Sequence, residues 1–125
     1  MKLTLLRFTL LTAAMIVPAA EAKPKKVAHR STEGVASFYS TRFEGRVTAS
    51  GQRFSSHALT AASLQLPLGS RVKVTNLANH RSVIVRVNDR GPFVKGRDIS
   101  LTRRAAQQLG FLKAGTAKVR MTRLS

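Results

Sequence analysis

The stretch RVKVTNLANHRSVIVRVNDR, residues 71–90, contains the pattern that decides the fold. Valines occupy every second position in most of both halves, and the positions between them are mainly polar or charged. A period of two is typical of a strand with one buried face. Asn79 and His80 lie between the two runs, where a short turn would join them. The stretch therefore predicts a β-hairpin.

Further elements follow on both sides of this hairpin. GVASFYS (34–40), DISL (98–101) and TAKVRMTRL (116–124) read as strands. TRRAAQQLG (102–110) reads as a helix that Thr102 caps and Gly110 ends. Several short strands with turns between them and one or two helices predict a mainly β protein, a small β-barrel. No internal repeat is visible.

The N-terminus has the anatomy of a secretory signal peptide. Lys2 and Arg7 precede an apolar run, and the small-x-small sequence Ala20-Glu21-Ala22 follows it. An uncleaved anchor is the alternative, but the run is shorter than the ~20 residues that span a bilayer. We expect residues 1–22 to be a signal peptide, 23–33 a flexible basic leader and 34–125 the barrel domain.

The chain carries a formal net charge of +17 and no cysteine. Such a charge attracts polyanions, so nucleic acid, a membrane surface and an anionic polysaccharide all fit it, as does a solvated surface without a dedicated partner. Export makes the bacterial cell wall the better expectation. Without cysteine, disulfides and a lipid-bearing thiol are excluded within this sequence. We expect a periplasmic or extracellular protein that is not lipid-anchored and has no stable membrane anchor.

Several segments together resemble the rare lipoprotein A family. They are, in chain order, GVASFYS, GRVTASGQRF, ALTAAS, LPLGSRVKVTNL, SVIVRVNDRGPF and GRDISLTRRAAQQLG. The resemblance covers nearly all of the chain after the leader. It implies a six-stranded double-psi β-barrel, the fold shared with expansins and barwin-like proteins. It also implies a lytic transglycosylase that cleaves the β-1,4 bond from N-acetylmuramic acid to N-acetylglucosamine, leaving a 1,6-anhydro end, preferably on peptide-free strands.

The sequence departs from the family's pattern at several positions. Where members usually carry Glu, Asp and His, this chain has Gln52, Ser55 and Ser63. The usual Asp of the later segment is Ser100, with an Asp two residues before it. A lipid-anchored Cys and a C-terminal peptidoglycan-binding repeat, frequent in the family, are not expected here. Asp89 of the NDRGP motif is the position whose family chemistry is unchanged.

Four carboxyl side chains follow the predicted signal peptide, and they differ as catalytic candidates. Glycosidic cleavage requires a proton donor, usually a carboxylic acid, and one carboxyl group can also help the sugar's own 6-hydroxyl to attack. Glu33 would be mobile in the leader, and Asp98 would pair with Arg97. Asp89 ends a buried strand and is the catalytic candidate, although a turn Asp can instead accept backbone N–H groups. Glu44 is a second, weaker candidate, with a solvated loop residue as the alternative.

Six residues are candidates for substrate binding, and no metal or cofactor is expected. Tyr39 is the ring best suited to stack on a sugar, whereas Phe38 and Phe43 are better suited to the core. The basic neighbour of Asp89 would lower the pKa of that carboxyl if it faced it. The histidines lack metal-ligand spacing. The candidate set is Tyr39, Gln52, Ser55, Ser63, Asn88 and Arg90.

Two classes of function remain open from the sequence. The first is an exported lytic transglycosylase, with peptidoglycan glycan strands as its partner. The second is a non-catalytic barrel that binds peptidoglycan or another cell-wall glycan. No nucleic-acid partner is expected, because an aromatic and basic recognition motif is missing.

Overall fold

The computed structural model describes residues 30–125. The strands are β1 (Ser31–Phe38), β2 (Thr60–Ser63), β3 (Arg71–Asn76), β4 (Ser82–Asp89), β5 (Ile99–Leu101) and β6 (Ala117–Arg123). One helix, α1 (Arg103–Leu109), and a 3-10 turn (Thr41–Phe43) complete the elements. The predicted signal peptide and residues 23–29 of the predicted leader lie outside the described residues.

The six strands close into a barrel in the order β1-β5-β2-β4-β3-β6. The pairs β1–β5 and β2–β4 are parallel, and the other four pairs are antiparallel. Closure leaves no unpaired strand edge. The prediction of a six-stranded barrel with one or two short helices is confirmed. Strand β2, which the period-two pattern did not identify, lies between β5 and β4.

The β3–β4 hairpin has the register that its valines predict. Val72 is opposite Val85 and Val74 is opposite Val83, and all four side chains are buried. The turn contains His80 in a left-handed conformation, with φ of 63°. The alternation therefore fixes which face of the hairpin enters the core, and the hairpin prediction is confirmed.

Helix α1 begins and ends where the sequence predicts. The side chain of Thr102 accepts a hydrogen bond from the backbone N–H of Ala105, and Gly110 follows the last helical residue. Thr102 Oγ1 also donates to the carbonyl of Ala58, 2.6 Å away. Because Ala105 and Leu109 are fully buried in the core, the helix is held against the barrel by packing as well as by its cap.

Strand β1 begins three residues earlier than predicted, so the predicted leader does not extend to residue 33. Glu33 is opposite Arg120 of β6, and their side chains form an ion pair at 3.5 Å. The carboxylate of Asp98 accepts the backbone N–H of Val35 at 2.8 Å, whereas it was expected to pair with Arg97. The mobility expected for Glu33 is therefore wrong. Strand pairing with β6, distant in sequence, orders a segment that has no apolar pattern of its own.

Gly34 is required by the close approach of β1 to Asp98. A Cβ atom at this position would lie 2.6 Å from the carboxylate oxygen Oδ2 of Asp98. Glycine therefore lets that carboxylate reach the strand. Within residues 30–125, no helix is long and apolar enough to cross a membrane.

Candidate functional site

Asp89 is the last residue of β4, and its carboxylate is held by three donors. Oδ1 accepts the backbone N–H groups of Ala49 and Arg90, both at 2.9 Å. Oδ2 accepts the hydroxyl of Tyr39 at 2.6 Å. Two backbone donors thus fix one oxygen, and a single side-chain donor contacts the other. The N–H contacts expected of an Asp in a turn are present, and the residue also borders an open cleft.

Tyr39 follows β1 and reaches Asp89 across the barrel end. Its ring packs on Phe54 at a centroid distance of 4.4 Å and meets the edge of Phe43 at 5.8 Å. Burial, the hydrogen bond to Asp89 and the negative charge of Asp89 together raise the pKa of the Tyr39 hydroxyl far above its ordinary value. The phenol therefore keeps its proton and acts as a hydrogen-bond donor to Asp89.

A cleft of about 400 Å³ opens beside this pair. Asp89 is the one carboxylate among its lining residues, and three arginines, Arg42, Arg90 and Arg97, also line it. Phe93 is 81% exposed at its border. Ser100, at the position where the family usually has Asp, contributes to the lining and is mostly buried. The cleft therefore combines one carboxylate with exposed ring surface and positive charge.

The loop after Asp89 requires a glycine at position 91. Gly91 has φ of 132°, which disfavours other residues, and the Gly91–Pro92 peptide bond is cis. A Cβ atom on Gly91 would make only ordinary contact with the ring of Phe93, at 3.5 Å, so the requirement for glycine arises from the backbone angle. The glycine thus permits the turn that positions the exposed ring beside the cleft.

The guanidinium of Arg90 is directed at backbone carbonyls rather than at Asp89. Its Nη1 donates to the carbonyl of Ser63 at 2.8 Å and to that of Leu66 at 2.6 Å. Arg90 lines the cleft, yet its charge is used to fix the segment after β2. This arrangement answers the question that the sequence left open about the orientation of the side chain.

Glu44 does not line the cleft. Its Oε2 accepts the backbone N–H of Ser56 at 2.8 Å. The hydrogen bonds from Ser56, with a smaller contribution from His57, lower the pKa of Glu44. A lowered pKa keeps the group ionised, which is the opposite of what a proton donor at neutral pH requires.

Gln52 and Asn88 lie side by side next to Asp89. Asn88 Nδ2 donates to Gln52 Oε1 at 3.3 Å, and Ser50 Oγ donates to the same oxygen at 3.4 Å. Gln52 is exposed, whereas Asn88 is buried. Ser55 accepts the N–H of His57 at 3.2 Å and is not brought into this cluster. Neither Gln52 nor Ser55 lines the cleft.

Ser63 is buried at the end of β2. Its Oγ accepts the N–H groups of Gln65 and Leu66, at 3.2 and 3.0 Å. It borders a different groove, of about 420 Å³, which also contains Gln65 and Leu66. The hydroxyl at the family's His position thus stabilises a turn. Among the sequence candidates, Tyr39, Asp89 and Arg90 meet in the cleft.

Among the cleft residues that were not identified from the sequence are Arg42, Phe93 and Arg97. A signal existed for Phe93, because it follows Gly-Pro in a loop and has no apolar partner at strand spacing. The two arginines resemble the many other cations of the chain, and only the fold separates them. Within the described part of the chain, no group of three His, Asp or Glu side chains is arranged to hold a metal ion.

The closed barrel, with its two parallel strand pairs, is a double-psi β-barrel, and its candidate site is the cleft at Asp89. Residues 31–121 match the family model described as lytic transglycolase. The chain therefore belongs to the lytic transglycolase family.

Curated relatives match most of this chain. The endolytic peptidoglycan transglycosylase RlpA of Pasteurella multocida is 53% identical over 97 residues, which are 78% of this chain and 33% of that protein. The corresponding protein of Neisseria meningitidis serogroup A is 50% identical over 99 residues, 79% of this chain and 41% of its own length. The chain thus spans about a third to two fifths of these relatives.

Solved structures of low sequence identity share the fold. The Streptomyces papain inhibitor has a TM-score of 0.63 at 19% identity, covering 80% of this chain and 100% of its own. A point mutant of the Clavibacter michiganensis expansin, in complex with cellohexaose, has a TM-score of 0.62 at 18% identity, covering 77% of this chain and 51% of its own. These similarities support the barrel fold alone. The chemistry has to be inferred from the residues of the candidate site.

Proposed function

We propose that the barrel domain is a lytic transglycosylase acting on the glycan strands of peptidoglycan. The observation that carries this proposal is Asp89, the single carboxylate of a cleft that also offers exposed aromatic surface and the guanidinium groups of Arg42 and Arg97. Relatives at 50–53% identity are named endolytic peptidoglycan transglycosylases, which supports the same chemistry. The signal-like segment at residues 1–22 supports export to the compartment that contains this polymer.

In the proposed reaction, Asp89 acts as acid and then as base. The protonated carboxyl group gives its proton to the glycosidic oxygen as the bond from that oxygen to C1 of N-acetylmuramic acid breaks. The carboxylate then takes the proton of the 6-hydroxyl of the same sugar while O6 bonds to C1. A 1,6-anhydro end forms, no water is added, and Asp89 recovers its proton.

The hydrogen bonds around Asp89 assign different roles to its two oxygens. Oδ1 is occupied by two backbone N–H groups, so Oδ2 is the oxygen available to exchange a proton with the substrate. Tyr39 contacts Oδ2 and retains its own proton, because its pKa is raised. Tyr39 therefore positions the reacting oxygen without titrating itself.

The walls of the cleft fit an acidic amino sugar. Phe93 offers ring surface of the kind on which sugar rings pack. Arg42 is stacked on Phe43, with its guanidinium carbon 5.1 Å from the ring centroid, and Arg97 lines the same cleft. N-acetylmuramic acid without a stem peptide carries a free carboxylate, which a guanidinium binds well. The arginines thus support a preference for peptide-free strands.

A non-catalytic glycan-binding barrel is the second candidate. It is kept because, among the described residues, no second carboxylate and no histidine lines the cleft beside Asp89. Expansin, a structural neighbour solved with cellohexaose, has a barrel of this shape. In this alternative, Asp89 and Tyr39 would bind sugar hydroxyls only.

One experiment separates the two candidates. Peptide-free glycan strands are incubated with the chain and with Asp89→Asn, and anhydro-ended fragments are measured by mass spectrometry. Asn keeps an oxygen for the two backbone donors, so the fold and strand binding should be retained while cleavage falls at least ~100-fold. Strands bound by both proteins and cleaved by neither would support the binding barrel and contradict the enzyme.

A further inference from the structure

The outward side chains of β3, β4 and β6 form a positively charged surface. Arg71 and Lys73 of β3, Arg86 of β4, and Lys118 and Arg120 of β6 are all exposed. They alternate with buried residues of the barrel interior, so they share the outer face of three neighbouring strands. We call these five residues the basic face.

The strand register brings like charges together on this face. Arg71 is directly opposite Arg86 in the β3–β4 pair, an arrangement that weakens a sheet unless an anion neutralises it. A hollow of about 200 Å³ lies between these arginines and is also lined by Ile84. Arg86 Nη1 donates to the carbonyl of Gly69 at 2.9 Å, which holds this guanidinium in place. Residues 45–88 contain no Asp or Glu.

Strand β3, the middle strand of the basic face, lies on the other side of the barrel from the cleft. The cleft is lined from β1, β5, β2 and the end of β4. In the closed order of six strands, β3 is three positions from β5 and therefore directly across the barrel. A polymer bound on the basic face would leave the cleft open to a glycan strand.

The composition of the face selects the kind of partner. Strands β3, β4 and β6 contain no aromatic residue, so there is no platform on which nucleic-acid bases could stack. Ile84 is the one large exposed apolar side chain on these strands, too little for insertion into a lipid surface. Cations on adjacent strands are about 5 Å apart and alternate residues along a strand about 7 Å apart. This regular spacing of cations suits a polymer with regularly repeated anionic groups.

We propose that the basic face binds an anionic glycopolymer, one that carries a phosphate or a carboxylate in each repeat. This surface is separate from the cleft and holds the domain on the polymer while the cleft remains free. The proposal goes beyond the glycan cleavage proposed above and does not depend on it.

The test compares two triple variants that remove the same charge from different places. The face variant is Arg71→Gln, Lys73→Gln and Arg86→Gln. The control variant is Lys95→Gln, Arg103→Gln and Lys113→Gln, three exposed cations away from the basic face. Binding to poly(glycerol phosphate), to polygalacturonate and to neutral dextran is measured by calorimetry at several salt concentrations. The first two polymers distinguish phosphate from carboxylate as the recognised group.

The face variant is expected to lose at least tenfold in affinity for one or both anionic polymers. The slope of the logarithm of its affinity against the logarithm of the salt concentration should fall in magnitude by about three, one for each contact removed. The control variant should lose less than threefold in affinity for the same polymers. None of the proteins should bind dextran. Arg71→Lys with Arg86→Lys keeps the charges, and its affinity within about threefold of the parent would show that the loss arises from charge rather than from unfolding.

Equal losses in the face and control variants would overturn the proposal, because net charge alone would then explain binding. Tighter binding of a single-stranded oligonucleotide than of both polymers would also overturn it. Asp89→Asn should leave polymer affinity unchanged, whether or not the chain cleaves glycan strands. This separates failure of the basic face from failure of the proposed catalysis.

Discussion

Tyr39 is the single tyrosine of the chain, and the chain has no tryptophan. Absorbance of the phenolate near 295 nm therefore reports on this residue alone. Burial and the contact with Asp89 raise its pKa in the folded state, whereas an unfolded tyrosine ionises near pH 10. We expect no phenolate signal in the folded protein at about pH 10–11. Above about pH 10 the unfolded chain releases this proton and the folded chain does not, so stability fully present below that pH is lost as it rises.

Asp89→Asn is the matched variant for this titration. It removes the negative charge beside the hydroxyl and leaves the burial of the ring, so phenolate should form at lower pH than in the parent. The measurement is a spectrophotometric titration, with circular dichroism to confirm that each protein is folded. Ordinary ionisation of Tyr39 near pH 10 in the folded parent would refute the donor role assigned to it.

Helix α1 and its cap allow a prediction at the scale of one element. Thr102 is fully buried and makes two hydrogen bonds, to the N–H of Ala105 and to the carbonyl of Ala58. Thr102→Val preserves the shape of the side chain and leaves the N–H of Ala105 and the carbonyl of Ala58 without this partner. We expect a loss of about 2–3 kcal/mol in the free energy of unfolding. Urea denaturation measures it, with Thr116→Val, at an exposed position, as the control expected within about 0.5 kcal/mol. Equal urea midpoints for the parent and Thr102→Val would contradict a stabilising role of the Thr102 cap.

Elements whose pattern is local were predictable from the sequence. The valine alternation of the β3–β4 hairpin, and the Thr102 and Gly110 signals of α1, are each complete within a short window. The start of β1 was not, because Ser31–Glu33 become a strand only by pairing with β6 at the other end of the domain. Long-range pairing is invisible to a pattern read in short windows.

The candidate site also combines residues that a local pattern identifies with residues whose roles depend on long-range contacts. Asp89 stands where a turn motif follows an apolar strand, but its selection as the catalytic candidate depended mostly on the resemblance. The role of Ser63 in a turn and the carbonyl contacts of Arg90 depend on how β2 meets β4, which no local pattern encodes. Phe93 and Arg97 enter the cleft through the same long-range assembly.

The net charge of +17 acts on the molecule as a whole. A domain of about 100 residues has a radius of gyration near 13 Å, well within the Debye length of about 30 Å at 0.01 M salt. All of its cations therefore repel one another at low salt, whereas the Debye length of about 8 Å at 0.15 M restricts repulsion to neighbours. The folded state should gain most from screening, since it holds these charges closest together.

We therefore expect the melting temperature to rise by roughly 5 °C between 0.01 M and 0.15 M NaCl, corresponding to about 1 kcal/mol for a domain of this size. Differential scanning calorimetry measures the change. The variant Arg71→Gln, Lys73→Gln and Arg86→Gln should show a smaller rise than the variant Lys95→Gln, Arg103→Gln and Lys113→Gln. Both lose the same charge, but the first also relieves the Arg71–Arg86 pair across β3 and β4. An unchanged or falling melting temperature would show that repulsion is not a significant cost in this fold.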